Sequence, residues 1–174
     1  MLTVLGVDLA VRDTGLAVVT FSDDGAQFAV REAAVLRRDG ELSARTALEY
    51  ADRILEYGAD AQCTGIDWDP RDVFWGNRAA GGLKALMVGY MLHAYCARGA
   101  SPICIRPQRI REMLQLKPTA PKEAVFHAFE AQFPAFWSQM TAEYPDSADL
   151  YDAVIIAYAR WILWTNGQTP RPRG

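Results

Sequence analysis

The chain has 174 residues, of which 51% are hydrophobic and 22% charged, with a formal net charge of −3 at pH 7. This length suits one domain with a real core, and the balance of apolar and charged residues excludes an intrinsically disordered protein. No apolar run approaches the roughly 18 residues of a membrane-spanning helix, and no basic segment leading into an apolar one indicates secretion, so we expect no membrane contact.

The first third of the chain predicts three strands. Residues 2–9 form an apolar run, and residues 16–21 and 27–36 follow as β-prone segments after turn sequences. The short turns predict an antiparallel meander. Asp8 interrupts the first strand near its end, where a carboxylate is unusual unless it is paired or binds an ion.

The middle of the chain changes to a helical period. Ser43 is the expected N-cap of a helix that stops near Gly58, and residues 62–67 predict a fourth strand that again ends in an acid, Asp67. A long helix is predicted over residues 78–98. Its expected inward-facing residues are Leu83, Leu86, Met87, Tyr90, Met91 and Ala94.

The last third predicts one more strand and three helices. The predicted segments are a strand at 102–106, a helix at 107–116, a linker at 117–121, a helix at 122–133, an irregular segment at 134–145 and a helix ending near residue 164. This order predicts an α/β fold with a mixed five-stranded sheet flanked by helices. We expect a single domain over residues 1–164 and a flexible tail over residues 165–174.

The cysteines favour a reducing compartment. Cys63, Cys96 and Cys104 are odd in number and lack the paired spacing of a metal site. This usage is typical of a cytoplasmic protein whose thiols are buried and structural.

The last predicted helix carries two carboxylates on one face. Asp149 and Asp152 are one turn apart, above an apolar stripe. Capping by Asp146 or Ser147, with Asp149 complementing the helix dipole, is the simplest alternative explanation. It accounts poorly for Asp152, which lies beyond the first turn, and a divalent cation would compensate both charges.

Acids from distant parts of the chain are expected to meet. If the first and fourth strands are neighbours, Asp8 and Asp67 end side by side, where ligands bind in such sheets. Together with the helical pair they offer hard oxygen ligands that suit Mg²⁺ or Mn²⁺, and two ions can drive phosphodiester hydrolysis. Two divalent ions would also change the net charge from −3 to about +1. The negative charge of the metal-free chain therefore does not exclude a substrate with a phosphate backbone.

Several motifs occur in an order that resembles one family, the RuvC-type Holliday junction resolvases of the ribonuclease H-like fold. The motifs are the strand and turn at 6–10 and 14–19, Ile66-Asp67, the helix at 77–89, the segments 107–114 and 120–122, and the acidic helix at 149–157. Each motif is weak alone, but together they cover most of the chain. The resemblance implies a metal-dependent endonuclease that cleaves branched DNA at four-way junctions and acts as a homodimer.

The resemblance also assigns roles to single residues. It implies that Asp8, Asp67, Asp149 and Asp152 are catalytic acids that bind two Mg²⁺ ions, with Mn²⁺ as a substitute. It implies that Lys122 lies near the scissile phosphate. A cation in the first turn of a helix opposes the dipole, which favours a nearby anion, although an exposed lysine is the ordinary alternative.

Residues other than the four acids are candidates for contacting DNA. Phe74 and Trp75 match the aromatic position of the loop that, in the family, wedges into the junction, although core or dimer packing explains them equally well. The candidate phosphate contacts are Arg106, Arg109 and Arg111. For any one of them, a solvated surface side chain is the default interpretation.

The sequence departs from the family in two places. The second acid is Asp67, where the family usually has glutamate. The loop after it supplies Asp69 and Asp72 as rival ligands. These departures, with the acidic net charge, affect the expected junction specificity more than the expected nuclease chemistry.

Two other functions remain open at this point. One is a ribonuclease H-like nuclease acting on RNA or RNA–DNA hybrids, and the other is a nucleic-acid-binding module that has lost catalysis. Sugar-kinase and chaperone ATPases begin with a similar hairpin but need two such domains, for which this chain is too short.

Overall fold

The computed structural model describes residues 1–23, 27–41, 43–73 and 78–167. Its strands form one five-stranded sheet in the order β3-β2-β1-β4-β5. They are β1 Leu2–Asp8, β2 Asp13–Phe21, β3 Phe28–Arg37, β4 Cys63–Asp67 and β5 Ser101–Ile105. The first three are antiparallel, and β4 and β5 run parallel to β1, so the predicted mixed sheet is confirmed.

Among the described residues, six α-helices cover the two faces of the sheet. They are α1 Ala44–Tyr57, α2 Arg78–Ala97, α3 Pro107–Met113, α4 Lys122–Gln132, α5 Pro134–Glu143 and α6 Ala148–Thr165. Ser43 caps α1 in a capping box with Thr46, as its position before the helical period predicts. None of the helices in the described ranges is long and apolar enough to cross a membrane.

The strands divide their side chains between two cores, because successive residues of a strand point to opposite faces. Leu5, Val7 and Ile66 pack with α1 and α2 on one face. Val4 and Cys63 pack with α6 on the other. Both faces are therefore buried, which explains why β1 is a nearly continuous apolar run.

Helix α6 lies unusually close to the sheet over two glycines. A Cβ atom built on Gly6 would stand 1.9 Å from the carbonyl oxygen of Ala153. One built on Gly65 would stand 3.0 Å from the Cβ atom of Arg160. The glycines are partners in the β1–β4 register, so together they form a shallow seat for the helix.

The structure corrects four expectations. Residues 134–145 are mostly helical, as α5, because Pro134 occupies the first turn, where a missing N–H costs nothing. Helix α3 ends at Met113 rather than at 116, since Gln115 has φ of 59°. Leu86 of α2 faces outward and is 39% exposed. Cys96 is exposed rather than buried.

Candidate active site

Two of the predicted acids end neighbouring parallel strands. Val7 and Ile66 are register partners, and Asp8 and Asp67 are the next residues of β1 and β4. The alternation that turns Val7 and Ile66 toward α1 and α2 turns both acids toward α6. The expectation that these strands are neighbours is therefore confirmed, and it brings both carboxylates to the α6 face.

Helix α6 brings the other two acids to the same place. Asp149 and Asp152 occupy its first two turns, and the side chain of Asp152 is only 20% exposed. Burial, followed by the charges of Asp152 and Asp67, raises the pKa of Asp8 to about 7. The charge of Asp149 acts in the same direction. Four carboxylates from three elements thus share one electrostatic site.

The site opens into a cavity of about 250 Å³. Three of the acids line it together with two basic and five apolar side chains. The lining residues are Asp8, Asp67, Asp152, Arg111, Lys122, Pro107, Ile110, Val125, Ile155 and Ile156. Asp149 does not line the cavity, although its charge acts on Asp8. The cavity thus brings charged groups of both signs together with apolar side chains.

Lys122 approaches the acids from the first residue of α4. Its Nζ forms an ion pair with Oδ2 of Asp152 and lies 5.6 Å from the centre of the Phe126 ring. Partial burial lowers the pKa of Lys122, but the contact with Asp152 and the charges of Asp8 and Asp149 together outweigh it, so the pKa is raised. Burial raises the pKa of Asp152, and Lys122 offsets only part of that effect.

The three candidate arginines have different surroundings. Arg111 lines the cavity, and its Nε donates a hydrogen bond of 2.7 Å to the carbonyl of Ala120, two residues before Lys122. Arg109 pairs with Glu112 at 3.1 Å on the outer face of α3. Arg106 is exposed at the N-cap of α3. Only Arg111 among them adjoins the acids in the described parts of the chain.

The candidate wedge residues Phe74 and Trp75 lie outside the described residues. Their suggested role in stacking on bases therefore stays a prediction from the sequence.

Asp69 is engaged elsewhere and does not line the cavity. Its carboxylate accepts two hydrogen bonds of 3.0 Å from Nε of Arg71, one to each oxygen. These hydrogen bonds lower the pKa of Asp69 to about 2 despite its burial. Asp69 is thus held as the partner of Arg71, which removes it as a rival ligand in this arrangement.

The donor set matches the chemistry of a hard divalent cation, because it consists of carboxylate oxygens that repel one another. Within the described ranges, however, no three acidic, histidine or cysteine side chains are grouped closely enough to hold one ion. The residues fit the cation chemically, and the assignment of the four acids as ligands stays a prediction.

A larger cavity of about 480 Å³ opens at the opposite end of the sheet, before β4 and β5. Of the described residues that line it, Asp60 and Arg98 are charged, and Asp60 is paired with Arg31 at 2.8 Å. Without a group of carboxylates it offers no comparable chemistry.

Sequence reasoning missed the residue on which the start of α6 rests. Gly15 of β2 is the register partner of Asp8, and its α-carbon lies against the backbone of Asp149. The available signal was a glycine within a β-prone segment, which often marks a close approach of another backbone.

Solved structures share this fold. The sequence matches no family model, and no curated protein matches it. Thermus thermophilus RuvC has a TM-score of 0.75 with 19% identity, over 99% of this chain and 100% of that protein. T. thermophilus RuvC in complex with a Holliday junction substrate gives 0.73 with 18% identity, over 99% and 100%. The yeast mitochondrial Holliday junction resolvase Ydc2 gives 0.64 with 12% identity, over 94% and 78%. The chain therefore has the fold of RuvC, as predicted.

Proposed function

We propose that this chain is a divalent-metal-dependent endonuclease that cleaves phosphodiester bonds in branched DNA, in the manner of a Holliday junction resolvase. The observation that carries the proposal is that Asp8, Asp67 and Asp152 line one cavity beside Lys122, while the charge of Asp149 acts on the same site. The fold shared with RuvC, which has been solved with a Holliday junction substrate, supports the choice of substrate.

The chemistry follows from the charges at the cavity. Two Mg²⁺ or Mn²⁺ ions, when bound, would supply the positive charge that activates water and stabilises a leaving oxygen. Asp8, Asp67, Asp149 and Asp152 would hold them. The ammonium of Lys122 would stabilise the charge that develops on the phosphate during attack.

The DNA backbone would approach over α3 and the start of α4. Arg111 faces the cavity, and Arg106 and Arg109 lie on the outer surface of the same segment. Phosphate contacts of this kind position a duplex without reading its sequence. Phe74 and Trp75, which follow Asp67 in the sequence, are proposed to stack on bases at the branch point.

We propose that the active form is a homodimer, because two symmetric cuts in a four-way junction require two sites. The outer face of α2, defined by Leu86, Gly89 and His93, supports this. Leu86 and Met1 are the exposed large hydrophobic side chains among the described residues. No atom lies within 4 Å of a Cβ built on Gly89, so another helix has room to approach.

The direct test compares labelled four-way junctions, linear duplexes and RNA–DNA hybrids, each with Mg²⁺ or EDTA. Paired symmetric nicks in the junction alone, abolished by EDTA, are the expected result. Preferential cleavage of the hybrid would instead identify a ribonuclease H-like activity. Junction binding without cleavage in either Mg²⁺ or Mn²⁺ would identify an inactive binding module.

A further inference from the structure

The carboxylate of Asp152 already has a cationic partner. Nζ of Lys122 pairs with its Oδ2 atom inside the cavity that Asp8 and Asp67 also line. The charges of Asp8 and Asp149 act on the same ammonium group. A side chain of the protein thus supplies positive charge at the place where the acids converge.

The acids act on one another electrostatically but do not form a group that could hold one ion in this arrangement. In the described part of the chain no three of the potential ligands are grouped to hold one ion, although Asp8 responds to the charges of Asp67, Asp149 and Asp152. Lys122 contacts a carboxylate oxygen of Asp152, whose side chain is 20% exposed. An oxygen that accepts a hydrogen bond from an ammonium group offers less to a metal ion.

The surroundings of Lys122 allow its ammonium group to move away from Asp152. Its side chain is 44% exposed, whereas that of Asp152 is 20% exposed, so the ammonium reaches the acids from the mouth of the cavity. The lysine stem is flexible, and the ring of Phe126, one turn along α4, already faces the ammonium. The backbone before Lys122 is held by the hydrogen bond that Nε of Arg111 donates to the carbonyl of Ala120.

We propose that Lys122 is an internal cation that competes with the divalent metal for Asp152, so that metal binding releases its ammonium to the mouth of the cavity. This inference rests on the proposed metal-dependent nuclease. The released ammonium is then available to a phosphate of the DNA. Substrate and metal therefore bind with positive coupling, since each favours the released position of Lys122.

The first test is calorimetric titration of the DNA-free protein with Mn²⁺. Lys122→Met is expected to bind Mn²⁺ at least about fivefold more tightly than the wild type, the lower end of typical coupling between binding events. Lys117→Met removes an exposed lysine from the preceding linker and should leave the affinity unchanged. Lys122→Gln, which keeps a polar group, provides a second measurement if Lys122→Met folds poorly.

The second test separates release from a general effect of charge. The wild type is pulse-labelled with an amine-reactive reagent, with and without Mn²⁺, and modification of Lys122 and Lys117 is measured by mass spectrometry. Release predicts faster labelling of Lys122 alone when Mn²⁺ is bound. Tighter binding by Lys122→Met with unchanged labelling of Lys122 overturns the inference but preserves the metal site. No Mn²⁺ binding by any of the proteins overturns the proposed function itself.

Discussion

The backbone of Asp149 rests directly on Gly15. A Cβ atom at Gly15 would stand 2.0 Å from the carbonyl oxygen of Asp149, a distance that no relaxed contact allows. Gly15 is also the register partner of Asp8. Because Gly15 has no side chain, the start of α6 can lie close against β2. This contact sets the position of Asp149 relative to Asp8.

Gly15→Ala should displace the start of α6 and disturb the acids. The new methyl group meets backbone rather than a flexible side chain, so we expect a loss of roughly 1–3 kcal/mol in the free energy of unfolding, as for other overpacked cores. Cleavage should fall further than the folded fraction explains. Urea unfolding and junction cleavage, measured on the same preparation, test both parts.

Gly82→Ala is the matched control for this change. It adds the same methyl group to an exposed helical position where no atom lies within 4 Å. The substitution should leave stability unchanged or raise it by up to about 1 kcal/mol, as alanine favours helix. Equal effects of the two substitutions would contradict the role given to Gly15.

The face of the sheet toward which the acids point could be predicted because it depends on simple periodicities. Asp8 and Asp67 each end a strand, and Asp149 and Asp152 are one helical turn apart. A strand alternates with period two and a helix with period 3.6, so the facing directions follow once the strand order is known. The prediction takes the adjacency of the first and fourth strands as its condition, and the pairing of β1 with β4 meets that condition.

Other features could not be predicted, because they depend on tertiary distances or on local conformations that the sequence pattern leaves open. The ion pair of Lys122 with Asp152 joins elements α4 and α6, and no local pattern reports its formation. Similarly, the engagement of Asp69 by Arg71 depends on the conformation of a loop. Helix α5 was missed because flanking prolines outweighed a weak apolar period, although Pro134 is compatible with a helix start.

Asp149→Asn should abolish cleavage while junction binding persists. The substitution removes the negative charge of one proposed ligand but keeps the size of the side chain at the start of α6. Changes in the outer surroundings of metal sites already cost about 10- to 100-fold, so loss of a direct ligand should cost at least a hundredfold. Cleavage rates in Mg²⁺ and gel-shift affinities in Ca²⁺ provide the measurement.

Asp146→Asn is the control for that experiment. It makes the same chemical change three residues earlier, at an exposed position before α6. Asp146 has φ of 55°, a conformation that asparagine accepts readily. Its cleavage rate should match the wild type, and an equally large loss there would argue against a specific role for Asp149.

The raised pKa of Asp8 predicts how stability depends on pH in the metal-free protein. Its pKa is about 7 in the folded chain, against an ordinary value of 3.8. Between these values the folded state binds more protons than the unfolded state, so the free energy of unfolding falls as pH rises. For one proton the slope is at most about 1.4 kcal/mol per pH unit.

Urea unfolding in EDTA across this interval measures the slope. Asp8→Asn should flatten it, because an amide does not titrate, and should raise stability above neutral pH. The exposed Asp39→Asn variant should retain the slope of the wild type. If Asp8→Asn and the wild type fall in parallel, the Asp8 carboxyl is not the group responsible.

Leu86→Glu should dissociate the proposed dimer. Leu86 is 39% exposed on the outer face of α2, and a charge buried between two copies would lack a partner. Light scattering after size-exclusion chromatography should report a dimer for the wild type and a monomer for this variant. Ala142→Glu places the same charge at an exposed site on α5 and should remain dimeric.

Because the acids lie on the other face of the sheet, the Leu86→Glu monomer should retain metal binding while losing paired nicking of junctions. A Leu86→Glu variant that keeps the wild-type mass would place the interface elsewhere.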